Sequence, residues 1–466
     1  MVSLGQLSKK DYETIESFLL KNPIDVDWWK KKDKEIHHDL NAFVLERRRF
    51  IPKNLQKYFH KGMTSYDTEE PAFALKLKVS GKIVEKECLE IIDTLKEMAE
   101  KYRYTIMYAK THGQGAELQS FGKRCLTWLV DFQISFNALS SVLKKNLRFS
   151  KLSGAVGNYQ GVSPRVEKEA LDKLNLKALY GATQIMPREL YAQIAQMLSN
   201  LVGTINKIAL SLRLGARSGC PIYQEGFGKK QVGSSAMPHK KNPIGLEQIK
   251  GLLLMALSYS MGITMTIETW EERAIEQSCL ERVFWPDLFH VTLRALKVIK
   301  KALKKLVVYP DNMWEEIYNS CGCFATNQAK EKLKEFGFDS KEAYRAIQLA
   351  AFIIFESRKI RKVIREKIPR SLQEAEELFA NGITMSAFFK ENSSIREVIS
   401  EGSLKVSTSL SATKEDVERW NSKLKKIFKD PRKLKSWREI FKPSYLLRRE
   451  ETLFKQILGT DFLATL

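Results

Sequence analysis

Residues 190–214 read LYAQIAQMLSNLVGTINKIALSLRL, and the apolar side chains in this stretch recur every three or four positions. This spacing is typical of a helix that buries one face. Gly215 follows directly and is expected to end the helix. A second stripe of apolar residues with the same spacing runs from 83 to 102. Strict alternation of apolar and polar residues, which would indicate strands, is rare in the chain. These patterns predict an all-α fold in which long helices form a bundle.

The bulk composition is that of a folded protein with an unusual charge. The chain has 466 residues, of which 44% are hydrophobic, and a net charge of +22. Such a charge makes nucleic acid, anionic membranes and anionic substrates the partners to consider. The two densest basic runs, 358–370 and 423–449, resemble solvated lysine-rich helix faces. Nucleic acid is therefore not the expected partner, although the charge does not exclude it.

Cysteine usage and hydropathy bear on the cellular compartment. The six cysteines have no spacing that suggests a disulfide framework, and Cys321 and Cys323 lack further ligands nearby in sequence for a metal site. The N-terminus has no secretory apolar region. The uncharged stretch 251–267 is interpreted as a helix buried on all sides. We therefore expect a cytoplasmic protein without a metal and without membrane association.

Turn-forming segments of the sequence divide the chain into three regions. We predict a helical N-terminal domain at 1–65, a central helical bundle at 66–308 and a lysine-rich helical C-terminal domain at 309–466. The second boundary is marked by the sequence YPDN at 309–312, which is typical of a turn. The central region contains a loop at 231–245 that carries many polar groups.

The core of this loop reads GSSAMPHKKNP at 233–243 and is more typical of a catalytic loop than of packing. Ser234 is a possible base, Lys240 a cation for a developing negative charge, and Asn242 an amide for binding a carboxylate. Glu247 follows as a carboxylate that could hold a histidine. A serine hydroxyl is a poor base unless a cation, backbone donors or loop closure activate it.

Two polar groups precede the central region. His38 and Asp39 lie on a probable helix, where the carboxylate could orient the imidazole; a surface pair is the alternative. His60, Thr64 and Ser65 surround a glycine and could hold an anion. The same residues could instead form a turn that caps the next helix.

Two further groups lie inside the central region. Thr111 and His112 belong to a sharp turn, where a histidine could exchange protons or have only a structural role. Arg273, Ser278 and Arg282 follow Trp270 on a helix-like segment. The two arginines suit recognition of carboxylate or phosphate, and a salt-bridged helix face is the alternative.

Taken in order, these segments resemble the adenylosuccinate lyases of the fumarase/aspartase superfamily. The loop fits the superfamily pattern GSSxMPxKxNP. Further similar segments are HHDLNAF at 37–43, YTIMYAKTHGQ at 104–114, SGAVGNY at 153–159 and WEERAIEQSCLERVFWPD at 270–287. The resemblance implies a three-domain helical subunit, a homotetramer, and active sites assembled from three subunits. It also implies elimination of fumarate from adenylosuccinate, giving AMP, and from succinyl-aminoimidazole carboxamide ribotide in purine biosynthesis.

The resemblance implies roles for single residues and no cofactor. Ser234 would remove the proton from the succinyl Cβ, Lys240 would stabilise the resulting carboxylate, and His112, held by Glu247, would protonate the leaving nitrogen. The positions expected to bind substrate are His38, Asp39, His60, Thr64, Ser65, Thr111, Gln184, Asn242, Arg273, Ser278 and Arg282.

The chain also departs from the family pattern. Its N-terminal domain is expected to be shortened, with a phosphate-site residue missing, unless the true start lies upstream. Lys110 and Ala274 replace an arginine and an aspartate that are usual in the family. The alternatives are another superfamily enzyme, such as a 3-carboxy-cis,cis-muconate cycloisomerase, and an inactive lyase-like protein that binds nucleic acid. The pair Thr64 and Ser65, together with Gln184, favours the purine lyase.

Overall fold

The computed structural model describes residues 1–228, 230, 232–356, 394–405 and 412–466. The basic run predicted at 358–370 and Gln231, the first residue of the predicted loop 231–245, lie outside the described residues. Most of the described chain is helical, so the all-α prediction is confirmed.

The longer helices form the middle of the chain and shorter ones its two ends. The helices are α1 (Lys9–Lys21), α2 (Val26–Ile36), α3 (Asp39–Arg48), α4 (Tyr66–Lys101), α5 (Phe121–Asn146), α6 (Pro164–Lys173), α7 (Arg188–Gly215), α8 (Ile244–Met265), α9 (Glu276–Lys304), α10 (Pro310–Asn319), α11 (Thr326–Glu335), α12 (Ser340–Glu356), α13 (Ile395–Glu401), α14 (Lys414–Phe428), α15 (Pro431–Glu439), α16 (Pro443–Leu447), α17 (Glu450–Leu458) and α18 (Phe462–Thr465).

The two sequence stripes lie on α4 and α7. Ile91 and Leu95 on α4 are fully buried, as are Ile194 and Leu201 on α7. Helix α7 ends at Gly215, as its sequence predicts. The apolar faces of these helices therefore form core, which is what a period near 3.6 residues requires.

Within the described ranges, the strands pair as three two-stranded sheets. The strands are β1 (Ile106–Thr111), β2 (Gln114–Ser120), β3 (Phe149–Ser150), β4 (Lys177–Ala178), β5 (Tyr223–Gln224) and β6 (Val307–Val308). Strands β1 and β2 form an antiparallel hairpin, β3 pairs with β4 in parallel, and β5 pairs with β6 antiparallel. Strands of two residues leave no periodic signal in a sequence, so their pairing depends on tertiary contacts.

Internal packing groups the chain into two units, and neither is one continuous segment. The first unit comprises 1–88, 135–203 and 251–296, and the second comprises 89–134, 204–250 and 297–466. The long helices α4, α5, α7, α8 and α9 each contribute residues to both units. The division into three domains stays a prediction.

Helix α8 differs from the expectation for 251–267. Ile263 is fully buried, but Leu254, Met261 and Met265 are 54%, 68% and 67% exposed. The predicted burial on all sides is not seen within a single chain, because α8 buries one face and exposes an apolar stripe on another. No helix in the described ranges is sufficiently long and apolar to cross a membrane.

The C-terminal part of the second unit has its own apolar core. Trp420 and Leu424 on α14 and Trp437 on α15 are buried in it. Lys425 and Lys426, on the same α14, are exposed. The lysine-rich segment thus forms solvated helix faces, as predicted, because its apolar residues recur at helical spacing between the lysines.

Candidate active site

The N-terminus of α3 carries the first two predicted residues, in the first unit. His38 caps the helix, since its Nδ1 accepts a hydrogen bond from the N–H of Asn41 at 3.2 Å. The Asp39 carboxylate forms an ion pair with Arg282 of α9 at 2.7 Å. The Arg282 side chain is 62% exposed, so this pair contributes little to stability and leaves the guanidinium accessible to an anion.

The loop before α4 carries His60, Thr64 and Ser65. The N–H of Thr64 donates to the buried carboxylate of Asp67 at 2.9 Å, which fixes the end of the loop on the helix. His60 has a positive φ of 58° and its buried Nε2 has no hydrogen-bond partner among the described residues. Burial, together with Arg48, lowers the pKa of His60. A neutral imidazole with an unsatisfied nitrogen can accept a bond from a ligand.

A buried ion pair lies behind this loop. The ammonium of Lys151 contacts the Asp67 carboxylate at 2.6 Å, and both side chains are fully buried. Neither residue was predicted from the sequence to belong to the site. A lysine between Ser150 and Leu152, just before the small residues of SGAVG, was the available signal, since lysine is almost never buried without a partner.

Gln184 and Arg273 contact each other in the first unit. Arg273 donates to the Gln184 Oε1 at 2.7 Å, and its guanidinium lies 4.1 Å from the ring centroid of Tyr66. Burial raises the pKa of Tyr66, and the Ser278 hydroxyl donates to the carbonyl oxygen of Ile275 at 3.0 Å. These contacts hold the Arg273 fork in one orientation, as recognition of a carboxylate or phosphate requires.

An open groove of ≈ 930 Å³ continues from these residues between α4 and α9, within the first unit. Tyr66, Glu69, Ser278 and Arg282 line one part of it. Burial raises the pKa of Glu69, and the nearby Asp39 carboxylate adds to this effect. The predicted residues that lie in the first unit are His38, Asp39, His60, Thr64, Ser65, Gln184, Arg273, Ser278 and Arg282.

His112 lies in the second unit, at the tip of the β1–β2 hairpin. His112 and Gly113 form the two-residue turn, with φ values of 51° and 76°. Two consecutive positive φ values define a turn whose twist matches that of the hairpin strands. Glycine adopts a positive φ without strain, which explains why Gly113 lies at this position. Thr111 pairs with Gln114 at the end of the strands, and both Thr111 and His112 are exposed. The predicted sharp turn is therefore present.

The loop at 233–243 also belongs to the second unit. A Cβ on Gly233 would lie 2.3 Å from the carbonyl oxygen of Lys240, so only glycine allows the two ends of the loop to approach this closely. The Ser234 Oγ accepts hydrogen bonds from the N–H groups of Ala236 at 3.4 Å and Met237 at 3.2 Å. Lys240 is exposed. The loop thus surrounds the serine oxygen with backbone donors and presents the lysine to solvent.

Acidic residues anchor the end of this loop at the start of α8. Glu225 accepts a hydrogen bond from the N–H of Leu246 at 3.4 Å, and burial raises the pKa of Glu225. Glu225 was not among the residues predicted from the sequence. Glu247 lies next along the helix, and its carboxylate is 3.7 Å from the guanidinium of Arg213. Asn242 is half-buried just before α8.

The described residues do not bring every predicted group together. Glu247 pairs with Arg213, and no hydrogen bond or ion pair of the described chain joins it to His112. The contact between Glu247 and His112 stays a prediction. The first unit, in contrast, links Thr64, Gln184 and Arg273 by a continuous set of contacts through the buried pair.

The chain is similar in sequence to known proteins that share one name, adenylosuccinate lyase. A family model described as "Lyase" matches residues 13–257. The chain is 33% identical to the adenylosuccinate lyase of Thermotoga maritima over 381 residues, covering 81% of this chain and 87% of that protein. It is 31% identical to the adenylosuccinate lyase of Bacillus subtilis over 378 residues, covering 80% and 84%.

Solved structures show the same fold at lower sequence identity. A fumarate lyase from Mesorhizobium sp. BNC1 superposes with a TM-score of 0.73 at 18% identity, covering 98% of this chain and 91% of that one. The β-carboxy-cis,cis-muconate cycloisomerase of Acinetobacter calcoaceticus gives a TM-score of 0.72 at 17% identity, with the same coverage. At these identities the likeness concerns the fold alone.

Proposed function

This chain belongs to the adenylosuccinate lyase family, and on that premise we propose that it eliminates fumarate from adenylosuccinate to give AMP. The same site would act on succinyl-aminoimidazole carboxamide ribotide. The observation that carries the proposal is the contact network of the first unit, in which Gln184 orients Arg273 beside Tyr66. It leaves cationic and hydroxyl groups accessible to a substrate with several anionic groups.

The elimination requires a base, a site for negative charge and an acid. Ser234, as the deprotonated alkoxide, takes the proton from the succinyl Cβ, and the electron pair moves into the adjacent carboxylate. Lys240 and Asn242 stabilise the charge on that carboxylate. The pair then forms the double bond of fumarate as the C–N bond breaks, and His112 gives a proton to the leaving nitrogen. This sequence balances protons and electrons without a cofactor.

The backbone of the loop supports the role of Ser234. The N–H groups of Ala236 and Met237 already point at the serine oxygen, and both would stabilise it once it loses its proton. These bonds are 3.2–3.4 Å long, and catalytic hydrogen bonds often shorten once substrate is bound.

Substrate binding is assigned to the remaining predicted residues. Arg273 and Arg282 would bind carboxylate or phosphate oxygens, and His60 would accept a bond at its unsatisfied Nε2. The residues that complete the binding set are His38, Asp39, Thr64, Ser65, Thr111, Gln184, Asn242 and Ser278.

We propose that the protein is a homotetramer in the cytoplasm, with each site shared between subunits. His112 is exposed at a hairpin tip, and Glu247 pairs with Arg213 in its own chain, so their predicted contact would form between chains. The exposed stripe Leu254, Met261 and Met265 on α8 supports association, since a helix face of this kind is usually covered by a partner.

The test is a parallel assay of the purified protein with adenylosuccinate, succinyl-aminoimidazole carboxamide ribotide and 3-carboxy-cis,cis-muconate, followed by ultraviolet absorbance. Release of fumarate from the two purine substrates is expected. Turnover of the muconate alone would assign the chain to the cycloisomerase branch. No turnover of any substrate, together with salt-sensitive RNA binding, would support an inactive nucleic-acid-binding protein.

A further inference from the structure

The pair formed by Lys151 and Asp67 is more deeply buried than a structural ion pair needs to be. Both side chains have 0% exposure, and their charged atoms are 2.6 Å apart. Removing two charges from water costs free energy that their attraction often does not recover. A buried ion pair is by itself weak evidence of a gain in stability. The ion pair therefore calls for a reason beyond stability.

The contacts of the pair are mostly with backbone atoms of the segments around it. Lys151 Nζ donates to the carbonyl oxygens of Gly154 at 2.9 Å and of Gln184 at 3.1 Å. Asp67 accepts from the N–H of Gly154 at 3.2 Å and from the N–H of Thr64 at 2.9 Å. Backbone contacts fix where each segment lies, whichever side chains it carries.

The segments that meet at the pair are closely packed. A Cβ on Gly62 would lie 1.9 Å from the carbonyl oxygen of Gly161, so the two loops touch backbone to backbone. On the far side of the loop, Glu167 accepts from the N–H of Leu152 and from the hydroxyl of Tyr159, both at 2.7 Å. The pair therefore lies inside a closely packed assembly of loops.

The assembly ends on residues assigned to the substrate. The Gln184 side chain donates to the carbonyl of Ala155 at 2.9 Å and accepts from Arg273 at 2.7 Å. A displacement of the Gln184 backbone would therefore move the Arg273 guanidinium. Thr64, at the other end, is held directly by Asp67.

We propose that Lys151 and Asp67 are positioning residues, which hold Thr64 and, through Gln184, Arg273 at the spacing that an anionic substrate requires. This inference rests on the proposed function. Neither residue touches the substrate, and their effect is on binding rather than on proton transfer by Ser234 and His112. Loss of the pair should therefore raise KM far more than it lowers kcat.

The decisive variant is the double substitution Lys151→Met/Asp67→Asn. Each single substitution can leave a buried group without its partner, whereas the double variant buries no charge and is expected to fold. We expect its KM for adenylosuccinate to rise about 10- to 100-fold, with kcat changed by less than about threefold. Steady-state kinetics measure both constants.

Asn146→Leu is the matched control. Asn146 is buried in the same unit and donates to the Leu190 carbonyl and the Gln193 side chain, neither of which belongs to a proposed substrate residue. It should lower the melting temperature and leave KM unchanged. A double variant with wild-type KM would overturn the proposal. An inactive wild-type protein would instead overturn the proposed function.

Amide hydrogen exchange of the wild-type protein tests the inference without any variant. The N–H groups of Thr64 and Gly154 should be strongly protected, because both donate to a buried carboxylate. Exchange of these two amides at the rate of exposed loop amides would contradict the positioning role, even if the double variant did not fold.

Discussion

Polar residues of the first unit are tied together by buried contacts, whereas those of the loop at 233–243 in the second unit are largely exposed. Arg273 is fixed by Gln184 and Tyr66, and Gln184 in turn by the fully buried Lys151. In the loop, the Ser234 Oγ accepts hydrogen bonds of 3.2–3.4 Å from neighbouring backbone N–H groups, and Lys240 is exposed.

This difference suits two different tasks. A binding surface gains affinity when its groups are already in place, because ordering them on binding would cost free energy. A serine base works only once water is excluded around it, so its loop must admit substrate first and close later. The comparison therefore predicts that substitution of Ser234 in the loop changes kcat and that substitutions in the binding cluster of the first unit change KM.

The largest expected effect is that of Ser234→Ala. Loss of the proposed base should lower kcat by about 10²- to 10⁴-fold, with little change in KM, because proton transfer contributes a factor of this order. Steady-state kinetics measure it. Ser235→Ala is the control, since Ser235 is adjacent and exposed and should retain wild-type activity. If the Ser234→Ala enzyme kept the wild-type kcat, the loop would have no role in the chemistry.

An experiment with mixed variant subunits tests whether Ser234 and His112 act in the same site but come from different chains. Ser234→Ala and His112→Ala proteins should each be inactive alone, and reassociated mixtures should regain activity, because some sites would combine an intact serine with an intact histidine from another chain. The rate of fumarate release by the mixture is compared with that of each parent. Mixtures as inactive as their parents would mean that one chain supplies both groups.

A smaller effect is expected for Arg273→Lys. Lysine keeps the charge but loses the planar fork and the stacking on Tyr66, so KM should rise about 10-fold, equivalent to roughly 1.4 kcal/mol. Arg165→Lys is the control, because Arg165 is 66% exposed and pairs with Glu169 on its own helix. A larger change in kcat than in KM would break the division between binding and chemistry.

The smallest effect concerns His60 and pH. Burial lowers its folded-state pKa below the ordinary value of about 6.5, so the unfolded chain binds more protons just below that pH. Its contribution to stability is present above about pH 6.5 and is lost as pH falls towards the folded-state pKa. His60→Gln should flatten this part of the curve of melting temperature against pH.

Thermal unfolding from about pH 5 to about pH 8, without substrate, measures that curve. His290→Gln is the control, because His290 is an exposed histidine of the same unit. A His60→Gln curve with the wild-type slope would mean that the imidazole is solvated in the folded protein.

Several features were predictable because they depend on local physics. The stripes on α4 and α7 require helices, and the turn at His112 requires a residue pair such as His-Gly that tolerates positive φ. The groups at His38 and Arg273 were recognisable by residue type and order. Their contacts were not, because Asp39 meets Arg282, which is 243 positions away.

The sequence by itself determined the helical class, the position of the polar loop and the family to which the chain belongs, since these depend on local period and on residue identity. Only the tertiary structure decided that Lys151 is buried against Asp67, that Glu247 pairs with Arg213, and that α8 exposes an apolar stripe. The reason is physical. Burial and pairing depend on which distant segments meet. The free-energy cost of burying a charge is therefore set by tertiary contacts and not by the neighbouring sequence.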